Sequence, residues 1–178
     1  MKKITFILIS LITLTNCGVK KKIMLEQKNE NFKESTHYNV ILPENWKPIL
    51  DSHDLLGYSP KNLKDINKNI VRIYELKLTG NKESSLNNFV QEDVERLNNI
   101  VKIDSQKLSK ESTKYGETYR FEYEHNWNFK HYKKTFFYFK HSDFIYKFSY
   151  SSEIKYYKNY ENDAIFIFNN LEFKKKQK

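Results

Sequence analysis

The chain has 178 residues, with 31 lysines and arginines against 22 acids, and one cysteine. That length suits one domain of ordinary size. A single cysteine excludes an intramolecular disulfide and every multi-cysteine zinc site. The 13 Tyr and 13 Phe exclude a disordered chain, which is poor in aromatics. The net charge of +9 lies at the ends: Lys2, Lys3, Lys20, Lys21, Lys22, Lys174, Lys175, Lys176 and Lys178 equal the whole excess. The body between them is close to balanced, so no nucleic-acid partner is expected.

Residues 1–16 read as a targeting segment. Lys2 and Lys3 form a short positive start, and 4–14 is apolar apart from Thr5, Ser10 and Thr13. Eleven residues are too few to span a bilayer, which needs roughly 20, and match the apolar region of a signal peptide, about 7–15. The stretch Leu14-Thr15-Asn16-Cys17-Gly18 resembles a bacterial lipobox, with Asn16 in place of the usual Gly, Ala or Ser. That resemblance implies a signal peptide over 1–16 and lipid attachment at Cys17. It implies a membrane-anchored protein of the bacterial cell envelope, facing the periplasm or the exterior. Two or three acyl chains anchor stably where one holds only marginally. The alternative is an incidental thiol in an ordinary signal sequence. Residues 17–36 are polar and read as the lipid anchor and a flexible tether. Lys20, Lys21 and Lys22 within it either touch anionic head groups or form a solvated run.

From residue 37 to 178 the pattern is that of one folded domain. Tyr38, Val40 and Leu42 alternate as a strand, and Pro43-Glu44-Asn45-Trp46 breaks it, with Trp46 folded back over the core edge. A short strand is expected at 55–60, a polar loop at 61–68, and a β-branched and aromatic strand at 69–78. Residues 84–100 give the clearest helix. Leu86, Phe89, Val90, Val94, Leu97 and Ile100 fall on one face at 3.6 residues per turn. Ser84 or Ser85 is placed to cap its start, and Glu92, Asp93, Glu95 and Arg96 occupy the opposite side. Four strands are expected next. The first, 101–112, has a weak pattern. In 119–127 Tyr119, Phe121, Tyr123, His125 and Trp127 alternate with polar residues, so one face meets a core and the other water. Strands 133–140 and 144–150 are joined by His141-Ser142-Asp143, which fits a hairpin turn. A second helix, 155–170, buries Tyr157, Tyr160, Ala164, Ile167, Phe168 and Leu171, and Phe173 and a lysine tail close the chain. The order β-β-β-α-β-β-β-β-α predicts an α+β domain: an antiparallel β-sheet of about six to seven strands packed by two helices, each covering part of an aromatic face.

Three short motifs then stand out: Leu42-Pro43-Glu44-Asn45-Trp46, Ser85-Leu86-Asn87-Asn88-Phe89 and the closing Leu171-Glu172-Phe173. Together with the aromatic strands between them, they resemble the PsbP-like domains, an α-β-α sandwich that includes many small bacterial lipoproteins. The resemblance covers about 38–173. It implies that fold and a non-catalytic, accessory or binding role, and it carries no catalytic motif onto any residue here.

Catalysis needs matched groups placed together. There is no phosphate-cradling glycine loop, no nucleophile elbow and no His-Glu-x-x-His. His125 and His131 lie on either side of an expected turn and, with His141, could hold a metal; scattered sheet and loop positions are the simpler reading. Glu122 and Glu124 share a strand face about 7 Å apart, a spacing open to acid–base work or to ion pairs with neighbouring cations. The basic and aromatic stretch 130–147 suits an acidic glycan, a lipid head group or a protein as well as it suits bases. The expectation is a non-enzymatic, lipid-anchored envelope module, without cofactor or metal, that binds an envelope protein or a small ligand. The alternative is an envelope hydrolase or transferase using the acidic pair or the histidines.

Overall fold

Alternation of apolar and polar residues dictates most of the strands observed. The computed structural model describes residues 35, 37–50, 55–63, 69–77 and 85–174; the expected leader, Cys17 and the tether through residue 34 lie outside them. In chain order the elements are β1 (Tyr38–Val40), β2 (Trp46–Leu50), β3 (Leu56–Pro60), β4 (Asn69–Lys77) and α1 (Leu86–Ile100). They continue with β5 (Ile103–Thr113), β6 (Gly116–Trp127), β7 (Lys130–His141), β8 (Phe144–Glu153), α2 (Ile154–Asn169) and β9 (Leu171–Phe173). Seven strands make one antiparallel sheet in the order β2-β3-β4-β8-β7-β6-β5, and β1 and β9 pair separately, with Tyr38 opposite Phe173. The α+β class, the antiparallel sheet and the two helices are as expected.

Two strands escape the sequence pattern. β2 follows directly on the predicted turn, which Trp46 N–H closes by donating to the Pro43 carbonyl at 2.9 Å. Its Pro48 argues against a strand, but β2 is the edge of the sheet, where a missing N–H costs no ladder bond. β9 is three residues long and finds its partner 131 positions upstream in Val40, which no local pattern encodes.

The helices lie on opposite faces of the sheet. Leu86, Val90 and Leu97 of α1 pack with Phe121, Tyr123, Phe136 and Tyr138. Tyr157, Ala164, Ile167 and Phe168 of α2 pack with Phe137, Phe139, Phe148 and Tyr150. This explains the unbroken Phe136-Phe137-Tyr138-Phe139 run: β7 is central and buried on both sides, so both of its faces are apolar. On β6 the expected watery face is instead half-covered by α2, and its polar residues Arg120 and Glu122 are only partly exposed. Trp46 sits in the core as expected, its Nε1–H donating to Asp163 on α2 at 2.8 Å. Ser85 caps α1, its Oγ accepting from the Asn88 N–H at 3.1 Å.

The β6–β7 hairpin turns on Asn128 and Phe129, both left-handed at φ 47° and 61°. Phe129 is fully exposed, so nothing in the fold offsets the steric cost of a left-handed aromatic, about 1–2 kcal/mol. Phe129→Gly should raise stability by about 1 kcal/mol, because two-residue turns of this kind favour Asn-Gly. A higher urea midpoint with an unchanged slope would report it.

Candidate functional site

β8 is an interior strand, yet past Ile145, which packs under α1, only one of its faces is apolar. Tyr146, Phe148 and Tyr150 point to α2. Lys147, Ser149 and Ser151, at the alternate positions, point to α1. Helix α1 packs mainly on β6 and β7, and between it and β4 the sheet floor is open. Two concavities of about 470 Å³ each lie there. They share Arg72, Lys134 and Ser151, so they form one groove. The first is walled by Ile70, Ile100, Trp127, Tyr132 and His125, the second by Tyr74, Leu76, Phe89, Asp93 and Lys147. Their size is that of sites for small organic ligands, about 300–1,000 Å³.

The charges in this groove are unequal. Among the described residues Asp93 is its one lining carboxylate, against Arg72, Arg96, Lys102, Lys134 and Lys147. Asp93 accepts from Lys147 Nζ at 2.5 Å, Tyr138 Oη at 2.7 Å and Arg96 Nη2 at 2.5 Å. Desolvation pushes the Asp93 carboxyl up, but these three donors outweigh it and hold it below the ordinary aspartate range. For Lys147, burial outweighs the carboxylate and the ammonium sits below the ordinary lysine range.

Lys134 has no such partner. No carboxylate pairs with its Nζ among the described residues; the group lies 5.9 Å from the centre of the Tyr123 ring. Desolvation, then the nearby charges of Arg72 and Lys147, push its pKa down. The hydroxyls of Ser149 and Ser151 make no hydrogen bond among the described residues, and the register places Lys134 directly opposite Ser151. One pair diagonal from Lys134, His125 lies stacked on Tyr132 at 5.7 Å between ring centres. It is 8% exposed and its Nε2 is buried without a partner. Burial and the Lys134 charge lower its pKa, so the imidazole is neutral at physiological pH.

The residues singled out in the sequence come together differently. His125 and His131 do not meet: the register pairs His125 with Tyr132 and Asn126 with His131, which puts the two rings on opposite faces. His131 Nε2 lies 3.4 Å from Glu124, and His141 stacks on Phe173 at 4.0 Å, at the other end of β7. The three-histidine cluster is therefore not assembled. Glu122 and Glu124 do share a face. Glu122 pairs with Arg120 at 3.0 Å and Lys133 at 3.4 Å. Desolvation raises its pKa, but these cations outweigh it and hold the carboxyl below its usual range. For Glu122 that is the ion-pair reading, and a carboxyl so held is a poor proton donor near neutral pH. The largest departure is Asp93, expected on the wet side of its helix and found buried. Lys134 and the serines of β8 were not singled out. The signal for them was the Lys-x-Ser-x-Ser alternation inside an otherwise aromatic strand.

No family model matches the chain, and no curated protein matches it by sequence. Solved structures share its fold. The crystal structure of LpqN, involved in cell envelope biogenesis of Mycobacterium tuberculosis, superposes with a TM-score of 0.59 at 12% identity, covering 85% of this chain and 97% of that one. The solution structure of the cyanobacterial PsbP protein of Synechocystis gives 0.51 at 9% identity over 80% of this chain and 91% of that one. A crystal structure of a Bacteroides thetaiotaomicron protein gives 0.52 at 16% identity, over 78% of this chain and 46% of that one. The domain thus has the PsbP-like fold.

Proposed function

We propose that this chain is a non-enzymatic accessory module of the bacterial cell envelope, held at the membrane through Cys17, that binds its ligand or partner in the groove beside α1. The groove carries this reading. It pairs an excess of cations with aromatic and aliphatic walls, the composition of a binding surface, while Glu122 of the candidate acidic pair is held by Arg120 and Lys133. Two features favour the envelope. A positive, apolar leader ends in the lipobox-like stretch before Cys17. The fold is shared with LpqN, which is described as acting in cell envelope biogenesis.

The test is native mass spectrometry of the chain after mild extraction from membranes, alongside a Ser151→Trp variant that fills the groove floor. The wild type should carry an additional bound mass, small molecule or protein, that the variant lacks while keeping its circular dichroism. The same bound mass on both would place binding elsewhere.

A further inference from the structure

We infer that the groove takes an oxyanion bearing an apolar group: a phosphate or carboxylate seated between Lys134 and His125, with its aromatic or aliphatic part along Trp127 and Ile100. The assignment rests on reading the groove as the binding site, and it names the ligand class.

Three observations converge on one end of the groove. Lys134 is a half-buried ammonium with no carboxylate on it among the described residues, and the positive charges of Arg72 and Lys147 act on it as well. A charge withdrawn from water and left unpaired is costly, and an incoming anion would relieve that cost. His125 lines the same concavity, and its buried Nε2 has no hydrogen-bond partner among the described residues; the neutral ring donates an N–H when that nitrogen carries the proton. The Ser151 hydroxyl, opposite Lys134 across the β7–β8 pairing, adds a third donor. These groups are of the kind that bind oxyanions through charge-assisted hydrogen bonds. Beside them the wall is apolar and unusually open to solvent: Trp127 is 60% exposed and Ile100, the end of the helix's apolar stripe, 66%. Both residues belong to patterns that elsewhere in this fold bury their side chains. A ligand with an anionic end and an apolar end satisfies both halves at once, whereas a free inorganic anion leaves the wall wet.

The experiment is calorimetric titration of the full chain, in phosphatidylcholine nanodiscs or free in buffer if it proves not to be anchored. The ligands are naphthyl phosphate, naphthoate, naphthol and inorganic phosphate. Naphthyl phosphate and naphthoate should bind at one site, with naphthol and inorganic phosphate each at least tenfold weaker. Lys134→Met should lower the affinity for the two naphthyl anions about tenfold or more, the scale of a hydrogen bond to a charged group, and leave naphthol unchanged. The same variant should unfold at an equal or higher urea concentration, since methionine keeps the packed stem and drops the unpaired charge. His125→Phe keeps the stacking on Tyr132 and should also weaken the anions. Equal binding of naphthol, equal binding of inorganic phosphate, or full affinity in Lys134→Met would each overturn the assignment. If no naphthyl anion binds, yet wild type and Ser151→Trp still differ in bound mass, the ligand class fails and the module reading stands.

Discussion

Replacing Asp93 with alanine should cost about 3–5 kcal/mol, the penalty for leaving one partner of a buried ion pair uncompensated. Asp93 is 8% exposed and the Lys147 side chain 11%, so neither charge can turn to water. Without Asp93, Lys147 loses its carboxylate, and the Tyr138 hydroxyl loses its acceptor beneath α1. The double variant Asp93→Ala/Lys147→Met should recover most of the loss, because apolar groups can replace a buried pair at little net cost. Urea unfolding of the two single variants and the double one closes the cycle. Additive losses would mean that the pair does not hold α1 to the sheet as a unit.

Alkali should unfold the protein in one step between about pH 10 and 12. Tyr38, Tyr123, Tyr138, Tyr146, Tyr150 and Tyr157 are all buried. Burial, the first cause at each, pushes every one above the ordinary tyrosine value of 10.0, Tyr146 to about 12 and the others further. The folded state therefore keeps protons that the unfolded chain releases. The stability these groups contribute is whole below pH 10 and falls as pH rises from there toward the folded values. Each differential proton removes roughly 1.4 kcal/mol per pH unit. Six together remove about 8 kcal/mol by pH 11, comparable to the total stability of a typical domain, about 5–15 kcal/mol. Tyrosinate absorbance should jump together with the loss of far-ultraviolet circular dichroism. Gradual ionisation of all the tyrosines around pH 10 with the dichroism intact would contradict the burial of these rings.

The same residues show what a sequence can and cannot reveal. The period of α1, the alternation along β6 and the apolar run of β7 are local properties, and each marks its element in the fold. Helical spacing in fact puts Asp93 on the buried stripe, three positions after Val90 and four before Leu97; its charge, not its position, suggested the solvent side. A carboxylate is tolerated there because Lys147, 54 residues away, meets it from the sheet, and that meeting depends on strand order. The groove has the same origin. Arg72 and Ser149 stand opposite each other only because β4 pairs with β8, and Lys134 meets Ser151 only because β8 returns along β7. Histidine spacing misled for a related reason. Six positions across a hairpin bring two residues near each other, but alternation sends His125 and His131 to opposite faces. β2 was hidden by Pro48, a residue that an edge strand tolerates.

The central claim, a binding module tethered at the bacterial envelope, is tested most directly by the mass of the chain recovered from the membranes of cells that express it. A lipobox-processed protein should begin at Cys17 and carry diacylglycerol, with or without a further acyl chain. A chain that still begins at Met1, or one whose Cys17 is a bare thiol, would contradict it.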